Sequence, residues 1–428
     1  MAVLAYGRCS IRLDGMAAEE PDSRTSWKAA WMTLAILSVS YGSPLLIVVG
    51  MKTMQEELGS TRSLLALAGS LVWVGTGAGG IFMGWLADRI GIRTTIMIGA
   101  CMIAGGLALS STGTIWALYV GHGLMIGLLG NGGVYPPLLV YVSRWFVRRR
   151  GAAIALISSG QYVAGVAWPA LFERGIAIFG WQAAMLSYAG VVLVLILPLA
   201  LLLKPAPIAA SEVPVSKHAP PAAVQANRIG GLHPNVVQAL ICVAGFCCCI
   251  PMSVPAAHLV AFCGDIGITP THGAAMLSVM LGCAFLARQL WGALADRIGG
   301  LRTVMAGSAC QAVAIACFLL TQDEAGLFAI SAAFGFGFSG IIPSYAVTIR
   351  DLFPASQASW RIPLTLFTAM SGMAFGSWFA GSLYDHFAYY APAFGISVVF
   401  NIANLLIIGF LVLRLSGERR TPQWSAVT

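Results

Sequence analysis

Long apolar stretches dominate the chain, and short charged or Gly/Pro-containing breaks separate them. They fall at roughly 29–54, 63–87, 94–112, 114–142, 152–172 and 180–203. After a polar interval they resume at roughly 235–262, 273–295, 303–320, 325–349, 360–384 and 390–413. Most approach or exceed the ~20 residues that a helix needs to cross a hydrocarbon layer about 30 Å thick. No water is there to satisfy backbone amides, so each segment must bond its own. The pattern predicts an all-α membrane protein of twelve transmembrane helices in two six-helix halves. The expected divisions are a tail at 1–28, halves at 29–203 and 235–414, a connector at 204–234 and a second tail at 415–428. Pro205, Pro207, Pro214, Pro220 and Pro221 make the connector read as a disordered link.

Composition narrows the class. Hydrophobic residues are 58% of the chain and charged ones 9%, against about 25% charged in ordinary soluble domains. The 10 cysteines show neither metal-ligand nor disulfide-framework spacing. Residues 1–28 are polar and lack the apolar core of a cleavable signal peptide. The net charge of +8 is distributed unevenly. One side receives Arg8, Arg12, Arg24 and Lys28, then Arg89 and Arg93, then Arg144 and Arg148 to Arg150. It also receives Lys204, Lys217, Arg228, Arg297, Arg302, Arg350, Arg361, Arg414, Arg419 and Arg420. The other keeps only Lys52, Arg62 and Arg174. Basic residues accumulate in cytoplasmic loops, so both termini and the connector are expected in the cytoplasm, with the chain in the inner or plasma membrane. The excess positive charge is then a topology signal and calls for no nucleic acid; the lipid bilayer is the expected partner, and nothing demands an oligomer.

Two loops repeat one another. Gly84-Trp85-Leu86-Ala87-Asp88-Arg89-Ile90-Gly91-Ile92-Arg93-Thr94 has its echo in Gly292-Ala293-Leu294-Ala295-Asp296-Arg297-Ile298-Gly299-Gly300-Leu301-Arg302-Thr303. Related halves of this kind build several transporter folds, with the site between them near the membrane midplane. The duplicated loop resembles the signature between the second and third helices of the major facilitator superfamily, repeated between the eighth and ninth. That resemblance implies a conformational latch made of Gly84, Asp88, Arg89, Gly91 and Arg93 in one half. Its counterpart is Gly292, Asp296, Arg297, Gly299 and Arg302. Tyr41-Gly-Ser-Pro44, Trp145 to Ala152, Gly180-Trp181 and Ala287-Arg288 are similar to the oxalate/formate and monocarboxylate branch. In that branch the eighth-helix arginine engages a substrate carboxylate. The chain departs from it at Leu45 and Ala284, where some members carry a lysine and an acid. It also has no basic residue in 362–384, where oxalate carriers have a lysine.

Arg288 also stands out without any family. It precedes Asp296 by about 12 Å of helix, well inside the hydrocarbon, where an arginine costs at least about 2.5–3.5 kcal/mol. Asp and Glu fall at helix ends, loops and tails, so no acidic partner is evident mid-span. A guanidinium facing a cavity would hold an anion by two parallel charge-assisted hydrogen bonds. His122 and His258 are candidates for carrying a proton. Tyr41, Asn131, Tyr135, Gln161, Tyr162, His258, Gln289 and Tyr345 are candidate substrate contacts beside Arg288. Gly335-Phe-Gly-Phe-Gly-Phe-Ser-Gly340 lacks a following Gly-Lys-Ser/Thr and reads as packing, so no nucleotide or other cofactor is expected. No nucleophile–base pair or metal cluster points to an enzyme. The expectation is a secondary transporter of a small organic anion, a monocarboxylate, working by alternating access. The alternatives are a carrier or exporter of a larger neutral or amphipathic solute, such as a vitamin-like compound or drug, and a non-transporting sensor.

Overall fold

The computed structural model describes residues 21–207 and 228–418. The first part of the N-terminal tail, most of the connector and the last ten residues of the C-terminal tail lie outside them. Eleven helices among the described residues are long and apolar enough to span a membrane. One of them, Gly151–Leu202, runs for 52 residues and turns at Gly180, whose φ of 79° only glycine adopts at low cost. Divided there, the helices make twelve spans: α1 Arg24–Leu58, α2 Arg62–Ile90, α3 Ile92–Ser110, α4 Ile115–Ser143, α5 151–179 and α6 181–202. The second half follows as α7 Pro234–Asp265, α8 Pro270–Ile298, α9 Gly300–Leu320, α10 Glu324–Leu352, α11 Ala355–Phe387 and α12 Ala391–Glu418.

The repeat is exact in backbone terms. Gly91 and Gly299 hold φ/ψ of 85/157° and 85/158° and join α2 to α3 and α8 to α9. Gly91 N–H donates to Ala87 O and Gly299 N–H to Ala295 O, both at 3.0 Å. Thr95 and Thr303 each return a hydroxyl to the glycine carbonyl at 2.9 Å. Each half has its own apolar core, with Trp145 and Trp181 fully buried in the first and Phe334 and Phe394 in the second. Large apolar side chains such as Ile81, Trp116 and Leu320 remain exposed on the outside, as a lipid-facing belt requires.

Three spans break where proline or a tightened turn interrupts the helix, and the breaks face the same interior. In α1 the break is at Tyr41. Pro44 cannot donate to Ser40 O, and the Ser43 hydroxyl takes that carbonyl instead at 2.7 Å. In α10 the break is at Ser339 and Gly340, because Pro343 cannot donate to Ser339 O. In α5, Tyr162 N–H bonds Ser159 O rather than Ser158 O, and this leaves the Ser158 carbonyl free. In α4, Pro136 and Pro137 follow a widened stretch, Val120–Asn131, with π-type bonding.

At the termini end of the first half, Asp22 accepts the backbone N–H groups of Val147, Arg148 and Arg149 at 2.9–3.1 Å. Burial opposes its charge, but those donors and the nearby Arg148 charge outweigh it, so its pKa lies below the ordinary carboxylate value. A lowered folded-state pKa gives stability above the unfolded value near 4 that is lost as pH falls through the folded one. At neutral pH Asp22→Asn is therefore expected to loosen this loop. Limited trypsin digestion should show cleavage at Arg148 and Arg149 rising several-fold over wild type.

Candidate functional site

The two halves meet through α2 with α11, α5 with α8, and the outer part of α1 with α7. A cavity of about 100 Å³ lies between them. Leu45, Val48, Trp73, Met252, Leu281 and Phe338 give it apolar walls, and Tyr41, Thr76, Gln161, Tyr162, Ser253 and Ser377 add polar edges.

Arg288, 7% exposed, does not line this space itself but lies behind its wall at Tyr162. Its Nη1 donates to the Ser158 carbonyl across the halves at 2.7 Å, the acceptor that the α5 break leaves free. Its guanidinium lies 5.0 Å from the centre of the Tyr162 ring, a cation–π contact. Nε is buried with no hydrogen-bond partner, and among the described residues no carboxylate pairs with the group. Tyr41 lines the cavity and Tyr135 packs against it. Those two rings stand edge to face at 5.7 Å. Tyr162 donates weakly to Ser339 O at 3.5 Å, the carbonyl that Pro343 leaves unpaired. Arg288, Tyr41, Tyr135, Gln161 and Tyr162 thus converge around the broken helices, and free carbonyls anchor Arg288 and Tyr162.

The remaining candidates lie elsewhere. Gln289, one residue and about 100° of helix from Arg288, is exposed on the outer flank with Leu286 and Leu290. Tyr345 is buried inside the second half, where its hydroxyl donates to Asn404, which in turn donates to Ser308. Asn131 accepts from Ser40 within the first half and does not line the cavity. His122 is fully buried near the far end of α4, its Nδ1 3.0 Å from the Ser110 hydroxyl. His258 lies behind the cavity wall and belongs to a different cluster.

That cluster closes the face opposite the termini. Arg62, 2% exposed at the start of α2, makes a two-pronged ion pair with Asp265 at the end of α7. Its guanidinium carbon lies 3.8 Å from the centre of the Tyr384 ring, and its Nη1 donates to the Tyr390 hydroxyl at 3.1 Å. Lys52 reaches Gly264 O at 3.0 Å and Asp265 at 3.7 Å. The carboxylate of Asp385, in α11, accepts the backbone N–H groups of Arg62 and Ser63 at 2.8 and 2.9 Å. Two orphan amides of one half are thereby capped by a charge from the other. Among the described residues, the hydrogen bonds and ion pairs joining the halves lie at the level of Arg288 or beyond it toward this face. Sequence reading missed the cluster; its signal was that Lys52 and Arg62 are stranded on the side depleted of basic residues.

The charged residues of the first repeated loop make their contacts within their own half. Asp88 pairs with Arg144 at 3.3 Å, Arg89 stacks at 4.1 Å on Trp85, and Arg93 Nε donates to Leu203 O. In the second loop Asp296, Arg297 and Arg302 are exposed. Asp351 accepts the Gly300 N–H there at 3.1 Å. No neighbouring residue stands within 4 Å of a Cβ added at Gly84 or Gly292.

The family model described as Major Facilitator Superfamily matches residues 30–257 and 240–426. The chain belongs to that superfamily. This transporter is 27% identical over 325 residues to monocarboxylate transporter 13 of Bos taurus, an alignment covering 74% of this chain and 73% of that one. Over 205 residues it is 29% identical to monocarboxylate transporter 6 of Mus musculus, covering 48% and 43% of the two chains. It is also 23% identical over 340 residues to the MFS-type transporter pynF of Aspergillus niger, covering 78% and 75%. Among solved structures it resembles a bacterial homolog of the human lysosomal transporter Spinster, inward-facing and unoccupied. There the TM-score is 0.72 at 14% identity, with 94% of this chain and 100% of that one covered. The superfamily member is thus a multi-pass membrane transporter and not an enzyme, as the apolar pattern and the repeated loop imply.

Proposed function

We propose that this transporter carries a small organic anion, a monocarboxylate with an apolar body, with Arg288 as its counter-charge. The observation carrying the reading is a buried guanidinium against the cavity-lining Tyr162, held by one backbone carbonyl and with Nε left without a partner. Tyr41, Tyr135, Gln161 and Tyr162 would orient the carboxylate, and the Trp73, Leu281 and Phe338 walls would take the apolar part. A single cation at the cavity favours one negative charge over two. The names of the monocarboxylate relatives agree with this choice. The distribution of basic residues supports termini in the cytoplasm of an inner or plasma membrane. The closed face is then extracytoplasmic and the state inward-facing. Opening of that face and closure around Arg288 would complete alternating access, and the site is complete within one chain.

The apolar walls also favour the second reading, a neutral amphipathic cargo. Proteoliposomes loaded with a panel of labelled carboxylates, run with and without a pH gradient, separate the two. Saturable uptake of monocarboxylates, with dicarboxylates and neutral isosteres at least tenfold weaker, is expected. Uptake that ignores the carboxylate would reject the anion reading.

A further inference from the structure

The closed face is wired to the cavity through one histidine. His258 is fully buried in α7, next to Ala257, which lines the cavity. Its Nε2 lies 2.8 Å from the carbonyl of Ser377, another cavity-lining residue. Its Nδ1 lies 2.9 Å from the Tyr390 hydroxyl. A carbonyl can only accept, so Nε2 carries the hydrogen and Nδ1 of the neutral ring is an acceptor. Tyr390 then donates to Nδ1 while its oxygen accepts from Arg62. The bonds run in one direction, from the Arg62–Asp265 pair through Tyr390 and His258 to the cavity.

We propose that His258 is the proton-binding site that releases this closure. The charged groups around the ring come from four elements: Lys52 of α1, Arg62 of α2, Asp265 of α7 and Asp385 of α11. The phenols of Tyr384 and Tyr390 complete the surroundings. Two cations face two carboxylates, so the cluster is balanced while His258 is neutral. A proton taken from solvent by Nδ1 breaks that balance twice over. It adds an uncompensated positive charge in a fully buried place, on the same side as Arg62. It also turns Nδ1 into a donor, so the Tyr390 hydroxyl must swing its own hydrogen away. Both effects are relieved when the halves part on this face and water reaches the ring. Proton binding and opening are therefore linked, and acid on the closed side favours the open state.

Hydrogen exchange on the full chain in nanodiscs, without cargo, tests the link independently of the anion reading. Labelling at pH 8 and pH 5, corrected for intrinsic exchange, is read in peptides covering 59–66 and 384–391. Wild type is expected to exchange about tenfold faster there at pH 5, the effect of one unit of linked protonation. His258→Gln keeps a donor for the Ser377 carbonyl but takes no proton, and its exchange should not change with pH. A flat wild-type profile overturns the proposal. So does the full acid response in His258→Gln, which would assign the titration to Asp265 or Asp385. Should that variant fail to fold, Tyr390→Phe keeps His258 and cuts its bond toward Arg62. A blunted acid response in it supports the proposal, and an unchanged one overturns it.

Discussion

Arg288→Ala is expected to lower kcat/KM for carboxylate uptake in proteoliposomes by at least about a hundredfold while the protein still folds. Truncating one member of a buried, hydrogen-bonded charge pair costs about 2–5 kcal/mol, much of it from the other charge being left desolvated. Under the proposed function that other charge is the cargo's carboxylate. The fold has less to lose. The guanidinium makes one hydrogen bond to a backbone carbonyl, and burying it unpaired opposes folding. The empty protein should therefore be as heat-stable in the variant as in wild type, or more so. Arg288→Lys keeps the charge but not the planar fork, and intermediate activity is expected. Thermal unfolding and counterflow measured on the same preparations decide it. Saturable carboxylate counterflow at wild-type rates in Arg288→Ala would remove this residue from the site.

Gly335→Val is expected to act the other way, on folding before transport. Gly335 of α10 faces α8 so closely that a Cβ would strike the carbonyl oxygen and carbon of Met280. Those are backbone atoms and cannot rotate aside. The helices must separate, and that undoes the packing that draws glycine-rich faces together in lipid. Overpacking costs about 1–3 kcal/mol in a well-packed core. A β-branched residue against rigid backbone should reach or exceed the upper end. Size-exclusion profiles after detergent extraction should show mostly aggregate, with any remaining monomer unfolding several degrees lower. Gly292→Ala has open space around the added methyl and should match wild type. A normal profile for Gly335→Val would mean that α8 and α10 do not approach as described.

The spans, the two halves and the duplicated turn were legible because lipid leaves few solutions for a chain so poor in charge. Arg288 was legible for a related reason: a charge in hydrocarbon needs an explanation wherever the helix points. What did not carry over was helical phase. Gln289 is adjacent to Arg288 in the chain but faces outward, and Tyr345 looks as available as Tyr41 until Asn404 is seen to occupy its hydroxyl. A lone sequence gives no register between spans, so polar groups that satisfy one another cannot be told from those that await a ligand. The Arg62–Asp265–Asp385 closure was hidden for a further reason. Each member sits at a helix end, where charges are usually just hydrated, and their meeting depends on how two separate bundles dock.

The cap that Asp385 places on α2 has a consequence for which positions can vary. The donors are main-chain N–H groups, and every residue type except proline supplies them. Drift in side-chain identity at Ser63 therefore leaves the contact intact, whereas at position 385 even the change to asparagine loses the charge that the helix end attracts. Position 63 accepts almost any residue, while position 385 has nearly no substitute.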